Sequence, residues 1–186
     1  MILVDCEATG GEKHADITEL ALIVVEHGQV THHWQSLIKP NTSISPYVER
    51  LTGITNDMVA SAPSFAQQVS VLQPHFANAV MVAHNARVDL RLLKRAFHQA
   101  QLPFKGKSLC SHQLAKQFFP DQDALGIKAL IEQLDLPVTE HHRAMVDTEV
   151  ILHLLAHITA NHPSAAIKKT CKGLIKPYNF PLPAPE

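Results

Sequence analysis

Ile2, Leu3 and Val4 open a hydrophobic strand that continues through Asp5, Cys6, Glu7, Ala8, Thr9 and Gly10, so that two acids stand one residue apart. Side chains on a strand alternate between faces. Asp5 and Glu7 therefore project together, and Cys6 projects the other way. Burying a pair of carboxylates at the end of a central strand is costly without a partner. A hard divalent cation, which prefers oxygen ligands, is the natural partner. An edge strand with two solvated acids carries the same pattern, and D-x-E alone does not choose between the two readings.

With 186 residues, the chain can form one ordinary domain with a real core. We expect that domain over residues 1–160, followed by a basic, proline-rich C-terminal tail over residues 161–186. The tail would be docked or disordered, and Lys168, Lys169, Lys172 and Lys176 give it its charge. Hydrophobic content of 46% against 18% charged residues excludes a disordered chain. No apolar run reaches the length of a membrane span, and the first residues read as a strand of the fold, not a leader. Three cysteines without C-x-x-C spacing argue against a disulfide framework and for a reducing, cytoplasmic setting. The net charge of −1 argues against a non-specific duplex binder, which would be strongly basic.

Asp16 to Glu26 is a dense apolar run, His27, Gly28 and Gln29 a turn, and Val30 to Lys39 a further strand, together an antiparallel hairpin. Ser45 to Leu51 reads as a short helix with Pro46 at its start and Gly53 at its end. Asn56 to Val59 is a helical turn, and Ser64 caps a helix reaching Phe76. Ala79 to Ala83 and Lys107 to Cys110 are strands; Asp89 to Ala100, His112 to Phe119, Ile127 to Leu134 and Arg143 to Thr159 are helices. Three strands in succession, then strands alternating with helices, make an α/β fold with a mixed, five-stranded sheet whose first three strands are antiparallel.

Two more constellations carry chemistry. In the first, a strand ends at His84 and Asn85 and a helix opens near Asp89, at the carboxyl end of a strand where ligands sit in α/β sheets. In the second, His141 and His142 precede Arg143, Ala144 and Asp147 at the start of the last clear helix. D-x-E, then H-N-x-x-x-D, then H-x-A-x-x-D, in that order, resembles the DnaQ-like 3′–5′ exonucleases of the DEDDh type. That family includes the polymerase III epsilon proofreading subunit, exonuclease X and RNase T. The likeness runs from Ile2 to Leu155, and Leu51-to-Thr55 and Leu109-to-Ser111 add to it.

The resemblance implies a ribonuclease H-like fold and a set of roles. Asp5, Glu7, Asp89 and Asp147 would be the metal ligands, and His142, not His141, the general base. Ala8, Thr9, Gly10, His84 and Asn85 would lie on the substrate side, with Asn85 equally open to a purely structural role. Hydrolysis of a phosphodiester develops charge on attacking and leaving oxygens. Two divalent ions, Mg2+ or Mn2+, about 3.5–4 Å apart would stabilise both. An imidazole with a pKa near 6.5 suits a base at neutral pH. The implied substrate is a nucleic acid 3′ end, DNA ahead of RNA, with nucleoside 5′-monophosphates as product. Alternatives are an exoribonuclease of the RNase T kind and an assembly or proofreading subunit of a polymerase or repair complex, which the basic tail supports. The oligomeric state is open. Two departures stand near the substrate: Ala8 where the family often has Thr, and Val88 where it often has Phe.

Other features read as structural. His153 and His157 have a zinc-compatible spacing but lack the H-E-x-x-H glutamate. Cys6 reads as a small core residue, Trp34 as a packing residue, and Gln113 to Phe119 as a core helix despite a faint echo of a clamp-binding peptide.

Overall fold

A computed structural model describes residues 1–11, 13–77, 79–138 and 142–181. His141 and the end of the tail, residues 182–186, lie outside the described residues. The strands are β1 (Ile2–Ala8), β2 (Ile17–Glu26), β3 (Gln29–Leu37), β4 (Val80–Ala83), β5 (Phe104–Cys110) and β6 (Lys176–Phe180). The helices are α1 (Pro46–Thr52), α2 (Asn56–Ala60), α3 (Phe65–Phe76), α4 (Arg87–Gln99), α5 (Ser111–Phe118), α6 (Ile127–Gln133), α7 (Ala144–Asn161) and α8 (Ser164–Leu174).

One mixed sheet has the order β3-β2-β1-β4-β5-β6. The β1–β2, β2–β3 and β5–β6 pairs are antiparallel; β1–β4 and β4–β5 are parallel. The expected α/β class and the antiparallel first three strands are present, with six strands among the described residues in place of five. The sixth strand and α8 come from the segment read as a tail. β6 pairs with β5 from Ser108 opposite Lys176 to Phe104 opposite Phe180. Proline is tolerated at an edge, so Pro177 does not prevent the pairing.

Alternation along β1 divides the core into two layers. Ile2 and Val4 point into a layer with Leu72, Phe76, Leu93 and Phe97 from α3 and α4. Leu3 points into the opposite layer with Val150, Ile151 and Leu154 of α7. β2 is buried on both faces from Ile17 to Val25, which explains its unbroken apolar run. Phe97 stacks on Phe104 at 4.5 Å, and Phe76 meets both edge-on, which seats α3 and α4 on β5.

Local signals set the element boundaries. Ser64 closes a capping box with Gln67 at the start of α3, and Ser45 accepts from the Val48 N–H at the start of α1. His27 and Gly28 are both left-handed (φ 52° and 81°), as a type I′ hairpin turn requires.

Asp16, at the foot of β2, binds three segments together. Its carboxylate accepts from Arg95 Nε (2.9 Å), Gln99 Nε2 (3.4 Å), the Asn41 N–H (3.0 Å) and the Thr42 hydroxyl (3.2 Å). Burial pulls its pKa upward, but these donors and the Arg95 charge win and hold it below the ordinary carboxylate value. A depressed folded-state pKa gives stability that is present above the unfolded value near 3.8 and is lost as pH falls through the folded value. Asp16→Asn should therefore lower the melting temperature at neutral pH and flatten its fall below about pH 4. Thermal melts of both proteins between acid and neutral pH check this.

Candidate active site

The site assembles at the carboxyl ends of the parallel strands, where a register shift between Glu7 and Ala8 also bends β1. Asp5 and Glu7 come from β1 on the α7 side of the sheet. Asp147 comes from the first turn of α7, and Asp89 from the first turn of α4 over the other face. One side-chain ligand atom each from Glu7, His142 and Asp147 lies within 4.8 Å of the others. Asp5 completes the group electrostatically, since Asp89, Asp147 and Glu7 all act on its carboxylate. The strand acids and the two helix acids are thus brought together.

Two backbone features aim these groups. His142 stands just before α7 with a left-handed φ of 67°, uncommon for a non-glycine residue and a recurring feature of functional sites. In that conformation its backbone N–H donates to the Asp147 carboxylate. Asp89 accepts from its own N–H, from the backbone N–H of Cys6 and from the Cys6 thiol. Cys6 packs against the α4-side core as expected and also orients a site carboxylate.

The electrostatics are those of an oxygen cluster short of positive charge. Burial first, then Asp89, Asp147 and Glu7, push Asp5 well above the ordinary carboxylate range. Burial and repulsion from Asp147, Glu19 and Asp89 push Glu7 up to about 8, with Arg143 opposing. Burial pushes Asp89 up to about 7, against its three hydrogen bonds. Burial pushes Asp147 up to about 6, and its Oδ1 is buried without a hydrogen-bond partner among the described residues. An orphaned buried carboxylate oxygen within a repelling cluster of hard oxygen donors fits a divalent cation.

These shifts give a pH dependence of known sign. A carboxyl group whose folded pKa is raised contributes stability present below its unfolded pKa and lost as pH rises through the folded value. In chelator, the melting temperature should therefore fall as pH rises from the unfolded carboxyl values of about 4, with the loss completed at about 6 for Asp147, about 7 for Asp89 and about 8 for Glu7. Mg2+ should restore most of the loss at the alkaline end. Melts in EDTA and in Mg2+ across this window measure both; stability that rises with pH in EDTA would contradict the electrostatic description.

The residues expected on the substrate side are placed differently from one another. Ala8 ends β1, and half-buried Gly10 follows Thr9 at the strand end. The Thr9 hydroxyl accepts from the Asp16 N–H (3.2 Å) and shares a hydrogen bond with Thr42 (3.1 Å), so it is engaged within the protein. His84 is buried: Nε2 lies 2.8 Å from the Leu125 carbonyl and Nδ1 3.0 Å from the Ser111 hydroxyl. A carbonyl only accepts, so Nε2 carries the proton and Nδ1 accepts from Ser111. Burial, with His112 nearby, pushes His84 down to about 4, so it remains neutral. Its ring thereby pins the end of β4 to α5 and the loop before α6. Asn85 is exposed with a left-handed φ of 60°, and its carbonyl accepts from Val88 at the start of α4.

One contributor has no signal in the motifs. Glu19 on β2 sits directly opposite Glu7 and is 1% exposed. Its carboxylate accepts from Arg143 Nη2 (2.7 Å) and Nε (3.1 Å), Gln35 Nε2 (2.9 Å) and the Ala144 N–H (2.9 Å). Like charges facing each other across two strands repel. Arg143 offsets that charge and, despite burial, holds Glu19 below the ordinary glutamate value. Because α7 has no side-chain cap of its own, Glu19 also takes the place of one. The clamp fixes the turn that carries His142 and Asp147.

A mixed sheet with acids from two alternate β1 positions and two helix starts, beside a histidine, fits the ribonuclease H-like exonucleases of the DEDDh type. The chain belongs to the RNase T exonuclease family, whose model matches residues 2–155. It is 35% identical over 153 residues to the 3′-5′ exonuclease DinG of Bacillus subtilis, covering 80% of this chain and 16% of that protein. It is 30% identical over 156 residues to a PolC-type DNA polymerase III of Bacillus cereus, covering 83% of this chain and 11% of that protein. The chain thus spans under a fifth of the length of these curated relatives. Exonuclease X, solved with 5′-overhanging duplex DNA, superposes with a TM-score of 0.71 at 26% identity, over 91% of this chain and 98% of that one. Exonuclease I shares the fold with a TM-score of 0.77 at 13% identity, over 88% of this chain and 41% of that one. Among the described residues no helix is long and apolar enough to cross a membrane.

Proposed function

We propose that this chain is a metal-dependent 3′–5′ exonuclease that trims DNA 3′ ends, single-stranded or frayed, to nucleoside 5′-monophosphates. The observation that carries the reading is the cluster of half-buried Asp5 and Glu7 with buried Asp89 and Asp147, and His142 at its edge. Asp5, Glu7, Asp89 and Asp147 would hold two divalent ions, Mg2+ or Mn2+, which when bound supply charge stabilisation at the attacking and leaving oxygens and a lowered pKa for water. His142 takes the proton from the attacking water, its ring lying beside the carboxylates of Glu7 and Asp147. Asp5 and Glu7 share one strand face, so the rigid sheet sets their separation. Asp89 and Asp147 are held by the backbone donors described above. Ala8, Thr9 and Gly10 shape the edge of the site through the backbone, and His84 and Asn85 position the β4–α4 turn beside it.

DNA is placed ahead of RNA as substrate because Exonuclease X, solved with DNA, is 26% identical to this chain, whereas the 3′-exonuclease solved for histone mRNA stem-loop recognition matches it over similar lengths at 16% identity. The test is parallel digestion of DNA and RNA oligonucleotides of one sequence. Faster release from DNA supports the reading; release from RNA alone transfers it to the exoribonuclease alternative.

His142→Asn separates the base from the fold. Asn tolerates a left-handed backbone, so the N–H donated to Asp147 is kept. We expect kcat to fall by about 10²–10⁴ with the melting temperature unchanged. Full activity in this variant would remove His142 from the mechanism.

The PolC-type relatives favour a second reading, in which the chain works within a polymerase assembly. Deleting everything after Asn161 is not a clean test, because it removes α8 and strips β6 from the sheet. Co-purification of the full chain with a polymerase is the direct one.

A further inference from the structure

Charge in this chain is segregated. Ten of its sixteen Lys and Arg residues fall within residues 90–120 and 150–181, and neither stretch contains an Asp or Glu. The fold joins the two stretches, since β6 pairs with β5 and α8 packs against β5 and α5. Two adjoining cavities, of about 570 and 520 Å3, open at this seam and share Val80, Lys107 and Pro177. Their floor is apolar, from Val80, Cys171, Ile175 and Pro177, and their rim carries Lys105, Lys107, Lys168 and Lys172, all exposed.

We propose that this lysine-rimmed groove between α8 and the β5–β6 edge docks an acidic segment of a partner protein that carries apolar side chains. The rim supplies charge complementarity to aspartate and glutamate, and the floor takes the apolar side chains. The surface suits peptide better than nucleic acid for two reasons. Non-specific single-strand binding relies on aromatic platforms, whereas the only aromatic among the described lining residues, Tyr178, is 8% exposed with its hydroxyl over Gly106. The groove also lies at the amino ends of β4 and β5. Val80 is level with Met1, four residues back from Asp5 along the β1 direction, or about 13 Å of strand. A strand threaded into the carboxylate site would have to turn back around the sheet to reach it.

The test uses the full-length chain and a short fluorescein-labelled peptide alternating aspartate with leucine and phenylalanine. Its controls are the same peptide with serine for aspartate, and a labelled single-stranded oligonucleotide in EDTA. Lys107→Glu combined with Lys172→Glu should weaken the acidic peptide about tenfold or more, leaving oligonucleotide binding and exonuclease rate unchanged. Lys107→Gln with Lys172→Gln should give a smaller loss in the same direction, and equal melting temperatures show that each variant folds. Failure of the wild-type chain to bind the acidic peptide, or equal binding of the serine peptide, would overturn the proposal. So would parallel loss of oligonucleotide binding, which would make the groove a nucleic-acid track. None of these outcomes depends on the nuclease reading, which a separate activity assay reports.

Discussion

Asp5→Asn should abolish exonuclease activity, by about 10³-fold or more, while raising the melting temperature in chelator. Both effects have one cause. Burial, with repulsion from Asp89, Asp147, Glu7 and Glu19, lifts the Asp5 pKa well above the ordinary range. Removing its charge relieves the cluster, and each 1 kcal/mol gained raises the melting temperature by roughly 2–4 °C for a chain of this size. Under the proposed function the same charge would be needed where the substrate's phosphate meets the ions, and loss of a single preorganised electrostatic group there costs about 10²–10³ even in milder cases. Addition of Mg2+ should stabilise the wild-type chain and leave Asp5→Asn nearly unmoved. Such opposition between stability and activity is what a strained functional site produces. A variant that loses stability and activity together would show Asp5 to be a structural residue instead.

Glu19→Gln should be the most damaging change outside the carboxylate cluster. A glutamine places an amide group where Glu19 accepts from Arg143 and Ala144, so at least one buried donor loses its acceptor. Removing one partner of a buried pair is strongly destabilising. Arg143 is 39% exposed, so solvent softens the loss. We expect about 2–3 kcal/mol, a fall of roughly 4–12 °C. Activity should fall further than stability alone accounts for, because the clamp sets the turn bearing His142 and Asp147. The mechanism is checked by a double-mutant cycle with Arg143→Met. The two changes should couple by about 1 kcal/mol or more, with the double variant less impaired than the sum of the singles. Strict additivity, or full kcat in Glu19→Gln, would show that the clamp does not position the site.

Much of this site was legible because its geometry is local. Alternation on β1 places Asp5 and Glu7 on one face, and the two helix acids follow a strand end or a histidine at short, ordered spacings. Glu19 was not legible. It interrupts an apolar run, and its partner Arg143 lies 124 residues away in sequence. His84 was legible as a neighbour of the site, but its bonds to Ser111 and Leu125 depend on a loop whose path only the folded chain reveals. The sixth strand was missed for a similar reason. Lys176–Phe180 is short, contains a proline and has weak alternation, so only pairing with β5 makes it a strand. α8 has no side-chain N-cap and no fully buried residue, and its lysines dominated the reading of that segment as a tail.

The most direct measurement is digestion of one DNA oligonucleotide labelled at either its 5′ or its 3′ end, in Mg2+ and in EDTA. The proposed function predicts a ladder shortening stepwise from the 3′ end with the 5′ label, immediate release of a labelled mononucleotide with the 3′ label, and neither in EDTA. Cleavage that persists in EDTA, or a ladder that shortens from the 5′ end, would contradict it.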